Sequence, residues 1–130
     1  LKEVLYELGS KTWIKWPNDF YLKDAKIGGV ITTKVRGIII GSIGINIHHA
    51  PEEFGVLDIQ ITPQKLVKLF LQKLEEKLSW KNVFSKYKIE FQNSLGFTFH
   101  LEGEKKSLAD AKLLDDGSIE VENKRVYSLR

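Results

Sequence analysis

The stretch Lys15-Trp16-Pro17-Asn18-Asp19, followed after a short gap by Lys26-Ile27-Gly28-Gly29-Val30, decides how this chain reads. Two lysines, an Asn-Asp pair and two adjacent glycines stand close together among apolar residues. Charges near a core cost free energy unless they are paired or bind something. Adjacent glycines weaken a strand and let a backbone or a ligand approach closely. The combination reads as an anion site where a carboxylate meets a phosphate.

Outward from this stretch, a coarse architecture follows. Thr12 to Trp16 is β-branched and aromatic and stops at Pro17, which predicts a strand with a functional loop at its carboxyl end. Phe20 to Leu22 resumes the sheet. Ile27 to Val35 and Gly37 to Ile47 form two apolar strands joined as a hairpin at Arg36-Gly37. Their runs are nearly continuous, so both faces are expected to be covered, or one packed and the other lining a pocket. Leu1 to Leu8 has helical apolar spacing, with Gly9 as its stop. Thr62-Pro63 opens a helix expected to run to about residue 78, and Ser79 caps a second one. After Asn93 the pattern changes to short strand candidates at 97–100, 107–114, 118–121 and 125–129, with Asp116-Gly117 a strong hairpin signal. The expected fold class is α+β: a mixed sheet packed by helices, residues 1–92, plus a small barrel-like β module, residues 93–130.

Composition narrows the functional classes. The chain has 130 residues, 42% hydrophobic and 28% charged, which is ordinary for a globular protein. No apolar run approaches the roughly 20 residues of a bilayer span, so no membrane partner is expected. Net charge is +3, and only Arg36, Arg125 and Arg130 of the 20 basic residues are arginine. Lysines and acids are interspersed, which argues for a solvated surface and against a nucleic-acid groove. Without cysteine, disulfides and thiolate metal sites are excluded, in keeping with a reducing cytoplasm. The start at Leu1 without methionine reads as a piece of a longer protein.

Each candidate residue has a structural alternative. Lys26 is either a surface lysine at a strand start or a cation held for an anion, and Gly28-Gly29 favour the second. Asp19 could pair with Lys15 or Lys26, hold a metal, orient a nucleophile, or serve a turn, as could Asn18. Trp16 is either core or a ring stacked on a ligand. Asn46 ends an apolar strand at Gly44-Ile45-Asn46. It either bonds local backbone or reads an adenine edge, which needs one donor and one acceptor. His48 and His49 point to opposite faces of a strand, so no histidine metal site is expected. There is no Walker loop and no dinucleotide fingerprint.

Together, Lys15-Trp16-Pro17-Asn18-Asp19, Lys26-Ile27-Gly28-Gly29-Val30 and Gly44-Ile45-Asn46 resemble, in order and spacing, the KWPND, K-(hydrophobic)-(A/G)-G-(I/V) and G-(I/L)-N segments of the biotin protein ligase family. The tail, Asp116-Gly117-Ser118-Ile119 through Tyr127-Ser128-Leu129-Arg130, resembles that family's SH3-like C-terminal domain. The resemblance implies a class II synthetase-like catalytic fold that joins biotin to ATP as biotinyl-5′-AMP, with Mg²⁺, and passes biotin to a lysine of the biotin carboxyl carrier protein of acetyl-CoA carboxylase. It implies catalytic roles for Lys26 and Asp19. Lys26, Gly29 and Gly44 would form the biotin site, and Asn46, Asn18 and Lys15 would serve the nucleotide. It also allows a homodimer. The family's Gly-Arg-Gly-Arg phosphate loop and the upstream Ser/Thr, Gln and Arg that hold biotin are not in this sequence, so the segment alone is expected to ligate little or nothing. The alternatives are a lipoate ligase or octanoyltransferase of the same fold, and a non-catalytic binding module.

Overall fold

The structure, a computed structural model, describes residues 1–127. Its contacts divide the chain into two compact units. One holds Leu1–Trp13 with Asn18–Leu78, and the other holds Ile14–Pro17 with Ser79 onward. The contact boundary therefore falls at residues 78/79, ahead of the 92/93 division expected from sequence, and a four-residue segment from the first half belongs to the second unit. That segment overlaps the Lys15–Asp19 stretch.

In the first unit, α1 (Lys2–Glu7) stops where Gly9 takes a φ of +88°. Ser10 Oγ then donates to Asp58 Oδ1 (2.5 Å) and Lys11 N to Asp58 Oδ2 (2.9 Å), which ties the exit of α1 to the 58 region. Burial alone pushes the Asp58 carboxyl up, but these hydrogen bonds outweigh it and hold its pKa below the ordinary carboxylate value.

β1 (Trp13–Lys15) straddles the division at Trp13/Ile14, and the sheet strands that lie wholly in this unit have the order β2-β3-β4: β2 (Asp19–Leu22), β3 (Ala25–Val35) and β4 (Ile38–Ile45). The described pairings, β2–β3 and β3–β4, are antiparallel. Both follow from the short connections between these strands, which join antiparallel neighbours. Arg36 and Gly37 make the β3–β4 turn, both with positive φ (48° and 85°), as a two-residue hairpin loop matched to strand twist requires.

The expected covering of this hairpin is not found among the described residues. Ile38 is 68% and Ile39 is 72% exposed, and Ile31, Val35, Ile40 and Ile43 are exposed as well. Neighbours in sequence point to opposite faces, so the outer half of the hairpin is bare on both sides. A two-sided apolar pattern shows what the strands are suited to, and not what lies against them. Burial is concentrated instead at the other end, where Ile27 is fully buried.

Helix α2 (Pro63–Glu75) closes the unit. Thr62 Oγ1 accepts from Lys65 N (3.3 Å), and Pro63 occupies the first helical position. The helix ends three residues earlier than its apolar spacing suggests, and Lys77 turns left-handed with a φ of 49°. Lys73 Nζ meets Glu7 Oε1 at 2.7 Å and Glu76 Oε2 at 3.0 Å, linking α2 to α1.

The second unit opens with α3 (Trp80–Phe91), where Ser79 Oγ accepts from Asn82 N (3.2 Å). Five short strands follow: β5 (Thr98–Leu101), β6 (Glu104–Ser107), β7 (Lys112–Leu113), β8 (Ile119–Val121) and β9 (Lys124–Val126). They form a two-stranded β5-β6 sheet and a three-stranded β7-β8-β9 sheet. No closed barrel is found among the described residues. The expected strand at 107–114 is divided, because β6 pairs tightly back on β5 through the Glu102-Gly103 turn and ends at Ser107. The last strand candidate, 125–129, and the Tyr127–Arg130 motif run partly outside the described residues.

The core of the second unit is built around Trp16. Its ring, 2% exposed, clusters with Phe91, Phe99, Leu108, Ala111, Ile119 and Val126. It meets Phe99 edge-on at 5.4 Å, a favoured aromatic arrangement. The indole Nε1 donates to Gly117 O (2.9 Å), and Trp16 N donates to Ser94 Oγ (3.0 Å). Tyr87 donates its hydroxyl to Pro17 O (3.0 Å), and burial raises its pKa. Of the two sequence readings of Trp16, the structure selects the core.

Among the described residues, no helix is long and apolar enough to cross a membrane.

Candidate active site

The site starts from an irregularity in strand pairing. Asp19 lies opposite Gly29 and Phe20 opposite Gly28, but Tyr21 lies opposite Lys26. One extra residue, Ile27, is therefore accommodated on β3. Side chains alternate along a strand, so Lys26 and Gly29, three apart, belong on opposite faces of a regular one. The bulge reverses that alternation and brings Lys26 to the side that carries Asp19. Lys26 Nζ reaches Asp19 Oδ1 at 2.7 Å. The carboxylate side is deeply set (8% exposed), whereas the lysine side chain keeps 29% of its surface accessible. Asp19 thus anchors a cation that remains partly accessible. Tyr21, next on the same side, has its phenol pKa raised by burial and then by the Asp19 charge, so it stays a neutral phenol.

The glycines divide the work differently from the sequence reading. A Cβ on Gly29 would stand 2.9 Å from Asp19 Oδ1 and 3.2 Å from Asn18 O. Gly29 makes room for the carboxylate of the ion pair. A Cβ on Gly28 would stand 2.2 Å from the Gly44 carbonyl oxygen, an atom of the backbone that cannot rotate aside. Gly28 thus holds β3 and β4 in close approach, a role that the adjacency of two glycines signals. Gly44, paired with Gly29 across β3–β4, has no heavy atom within 4 Å of where a Cβ would sit, so its face is open. Gly28→Ala is expected to push β4 away from β3 and lower stability by about 1–3 kcal/mol, the usual range for overpacking. Chemical denaturation measures this, with Gly44→Ala as the control that leaves stability within about 0.5 kcal/mol.

Asn18 donates its side-chain amide to Val30 O and accepts from Val30 N with its own carbonyl (2.9 Å). This clips the start of β2 to β3. Its Oδ1 is buried and has no hydrogen-bond partner, and an unmet buried acceptor carries a cost. Asn46 closes the other side. Its N donates to Ile27 O (2.8 Å), its O accepts from Leu57 N (2.8 Å), and Nδ2 donates to Gly55 O (3.1 Å). The local-backbone reading of Asn46 is therefore realised for one of its N–H donors.

Six of the seven sequence-derived site residues, Asn18, Asp19, Lys26, Gly29, Gly44 and Asn46, come together at one end of β2-β3-β4 in the first unit. Lys15 lies on β1, buried, within the second unit. The described residues contain no group of three or more His, Cys, Asp or Glu placed to hold a metal ion.

Comparison with known proteins gives this geometry a class. Residues 1–49 match the model of the Biotin/lipoate A/B protein ligase family. The structure matches the crystal structure of biotin acetyl coenzyme A carboxylase synthetase from Helicobacter pylori with bound biotinylated ATP. That match has a TM-score of 0.88 and 47% identity, covering 95% of this chain and 59% of that one. A biotin–[acetyl-CoA-carboxylase] ligase of Mycobacterium tuberculosis is 26% identical over 82 residues, 31% of its length. The bifunctional ligase/repressor BirA of Bacillus subtilis is 42% identical over 52 residues, 16% of its length. Biotin protein ligase from Aquifex aeolicus shares the fold at 23% identity and a TM-score of 0.68.

The bulged strand, the lysine–aspartate pair and the facing glycines lie within the part of the chain, residues 1–49, that the Biotin/lipoate A/B protein ligase model matches. Within those matches the chain is similar to biotin protein ligases. It spans about three-fifths of the Helicobacter pylori structure and smaller aligned shares of the two sequence relatives.

Proposed function

We propose that this chain is part of an ATP-dependent ligase that activates biotin as biotinyl-5′-AMP and transfers it to a lysine of a biotin carboxyl carrier domain, in a reducing cytoplasm. The observation that carries this reading is the Lys26–Asp19 pair, set beside Gly29 and the open face of Gly44.

In the first step a biotin carboxylate oxygen bonds to the α-phosphorus of ATP and pyrophosphate leaves with the bonding electrons. Two anions must touch, and the Lys26 ammonium offsets their repulsion and the charge growing on the phosphoryl oxygens. In the second step the carrier amine attacks the acyl carbon. The amide C–N bond forms, the acyl–phosphate C–O bond breaks, AMP leaves and the amine gives up a proton. Asp19 is the carboxylate placed to orient that amine or accept its proton. Gly44 keeps a side chain off the biotin wall, and Gly29 serves the site by leaving room for the Asp19 carboxylate. The second amide N–H and Oδ1 of Asn46 supply the donor and acceptor of an adenine edge. Asn18, through its unmet Oδ1, and Lys15 support the nucleotide.

Mg²⁺ in such a reaction offsets charge on the leaving pyrophosphate. The described residues assemble no metal-binding cluster, so no step here is routed through the ion. Residues 1–92 correspond in this proposal to the C-terminal portion of the catalytic domain, and 93–130 to the SH3-like module.

The nearest rival is lipoate, because the matching family model spans both acids. The Lys15–Asp19 stretch and the C-terminal strands favour biotin. Full-length protein incubated with ATP and either acid is expected to form biotinyl-AMP. Formation of lipoyl-AMP alone would reverse the assignment.

A further inference from the structure

The bulge at Ile27 turns Lys26 toward Asp19, and a second element of the first unit is fastened to that bulge. After β4 the chain passes through residues 46–58, which return along the start of β3. Asn46 N donates to Ile27 O (2.8 Å), and Gly55 N donates to Lys26 O (2.9 Å). The carbonyls of Lys26 and of the extra residue are therefore both held by this one segment. The segment is also bonded to itself: Leu57 N donates to Asn46 O (2.8 Å), and Asn46 Nδ2 donates to Gly55 O (3.1 Å). Its far end is fixed at Asp58, whose two carboxylate oxygens accept from Ser10 Oγ and Lys11 N. Gly55 is the point of closest approach. A Cβ there would stand 3.0 Å from Ala25 Cβ and 3.1 Å from Ile27 Cγ2, tighter than ordinary contact. Ile27 is fully buried, so its side chain has little space in which to yield.

We propose that residues 46–58 form a brace that keeps the bulge in register, and that Gly55 is a positioning residue for Lys26. This rests on the ligase reading, in which Lys26 meets the reacting anions. The extra residue of a bulge has no ladder partner on the neighbouring strand, so it needs support from elsewhere. Without that support the pairing of β2 and β3 can slip by one residue, and such a slip exchanges the two faces of the strand. The brace supplies the support through two hydrogen bonds and through a glycine backbone laid directly against Ile27. Asp58 acts through the brace, by tying its end to the exit of α1.

Two measurements on the full-length protein test this. The first is lysine labelling by acetic anhydride, read by mass spectrometry with the exposed Lys23 as internal reference. The Lys26 side chain keeps 29% of its surface accessible while it is held to Asp19. In Gly55→Ala its release should raise labelling by up to about threefold, as local opening exposes it. The second is the kinetics of biotinyl-AMP formation. Gly55→Ala should lower kcat about tenfold and leave the KM for biotin within about twofold, because a misplaced group loses rate more than binding. Ala25→Gly removes the nearest obstructing atom, and adding it to Gly55→Ala should restore most of both signals. In a Lys26→Ala background, Gly55→Ala should lower kcat no further, as expected of two residues that act as one. Asp58→Ala, made at the exposed end of the brace, should shift labelling and kcat in the same directions without crowding the core. A folded Gly55→Ala protein with wild-type labelling at Lys26 overturns the proposal. If that variant does not fold, wild-type labelling in Asp58→Ala overturns it instead. A rate loss that persists in the Lys26→Ala background also overturns it, since the brace would then act on another group. Should Lys26→Ala itself keep the wild-type rate, the ligase reading falls and labelling alone decides on the brace.

Discussion

Lys26→Ala in the full-length protein is expected to lower biotinyl-adenylate formation by about 10²–10³-fold, the loss that follows removal of one preorganised group from a developing oxyanion. The ammonium acts on charge that grows in the transition state, so the fall should appear in kcat more than in the KM for biotin. The bulge at Ile27 and the glycine contacts do not depend on the lysine side chain, so the sheet should survive. Asp19 would, however, lose its cation while nearly buried, and an unmatched buried acceptor costs about 1–3 kcal/mol. Thermal melts must therefore accompany the assay, run well below the transition. Lys26→Arg, which keeps the charge, separates the two effects: it should restore stability while recovering little of the rate, because a planar guanidinium does not place its donors where an ammonium does. Adenylate formation near the wild-type rate in Lys26→Ala would reduce Lys26 to a surface residue and leave the proposed chemistry without its cation.

Trp16→Ala carries the largest expected loss of stability, about 3–5 kcal/mol, as for other buried aromatic deletions. The side chain is 2% exposed in a cluster of six other buried residues. Its indole also satisfies Gly117 O, which the alanine would leave without its donor. Trp16→Phe keeps most of the packing, including the contact with Phe99, and should lose only the hydrogen bond, about 1–2 kcal/mol. Chemical denaturation of both variants gives the comparison. A loss below about 1 kcal/mol for Trp16→Ala would show that the ring does not hold the second unit together.

These two residues stand ten apart and act in different units, which bears on how the Lys15–Asp19 stretch is read. From sequence it is one motif. In the structure it is divided: Trp16 and Pro17 serve the second unit, while Asn18 leads into β2 and Asp19 starts it in the first. The dual reading of Trp16 could not be resolved from sequence, because a buried ring and a ligand-stacking ring have the same local surroundings. The ring's partners lie 75 to 110 residues away, from Phe91 to Val126.

Local chemistry was legible wherever it is set by neighbours in the chain. The caps at Thr62 and Ser79, the stop at Gly9 and the two-residue turn at Arg36-Gly37 all follow from preferences that act within a few residues. The same holds for the grouping of Lys26, Gly29, Gly44 and Asn46, because two strands joined by a tight hairpin must return side by side. The arrangement of the small barrel-like module expected after Asn93 was not legible in this way. Strand lengths there are set by pairing, and the described strands settle into two separate small sheets.

By itself, then, the sequence determined which residues could meet: a charged pair and glycines on neighbouring strands, and helices that begin where a hydroxyl can accept an N–H. Tertiary structure alone decided on which side of the sheet they meet. A strand's alternation has a period of two, so one inserted residue exchanges its faces. The extra residue at Ile27 is visible only once β2 and β3 are paired, and it is what turns Lys26 toward Asp19.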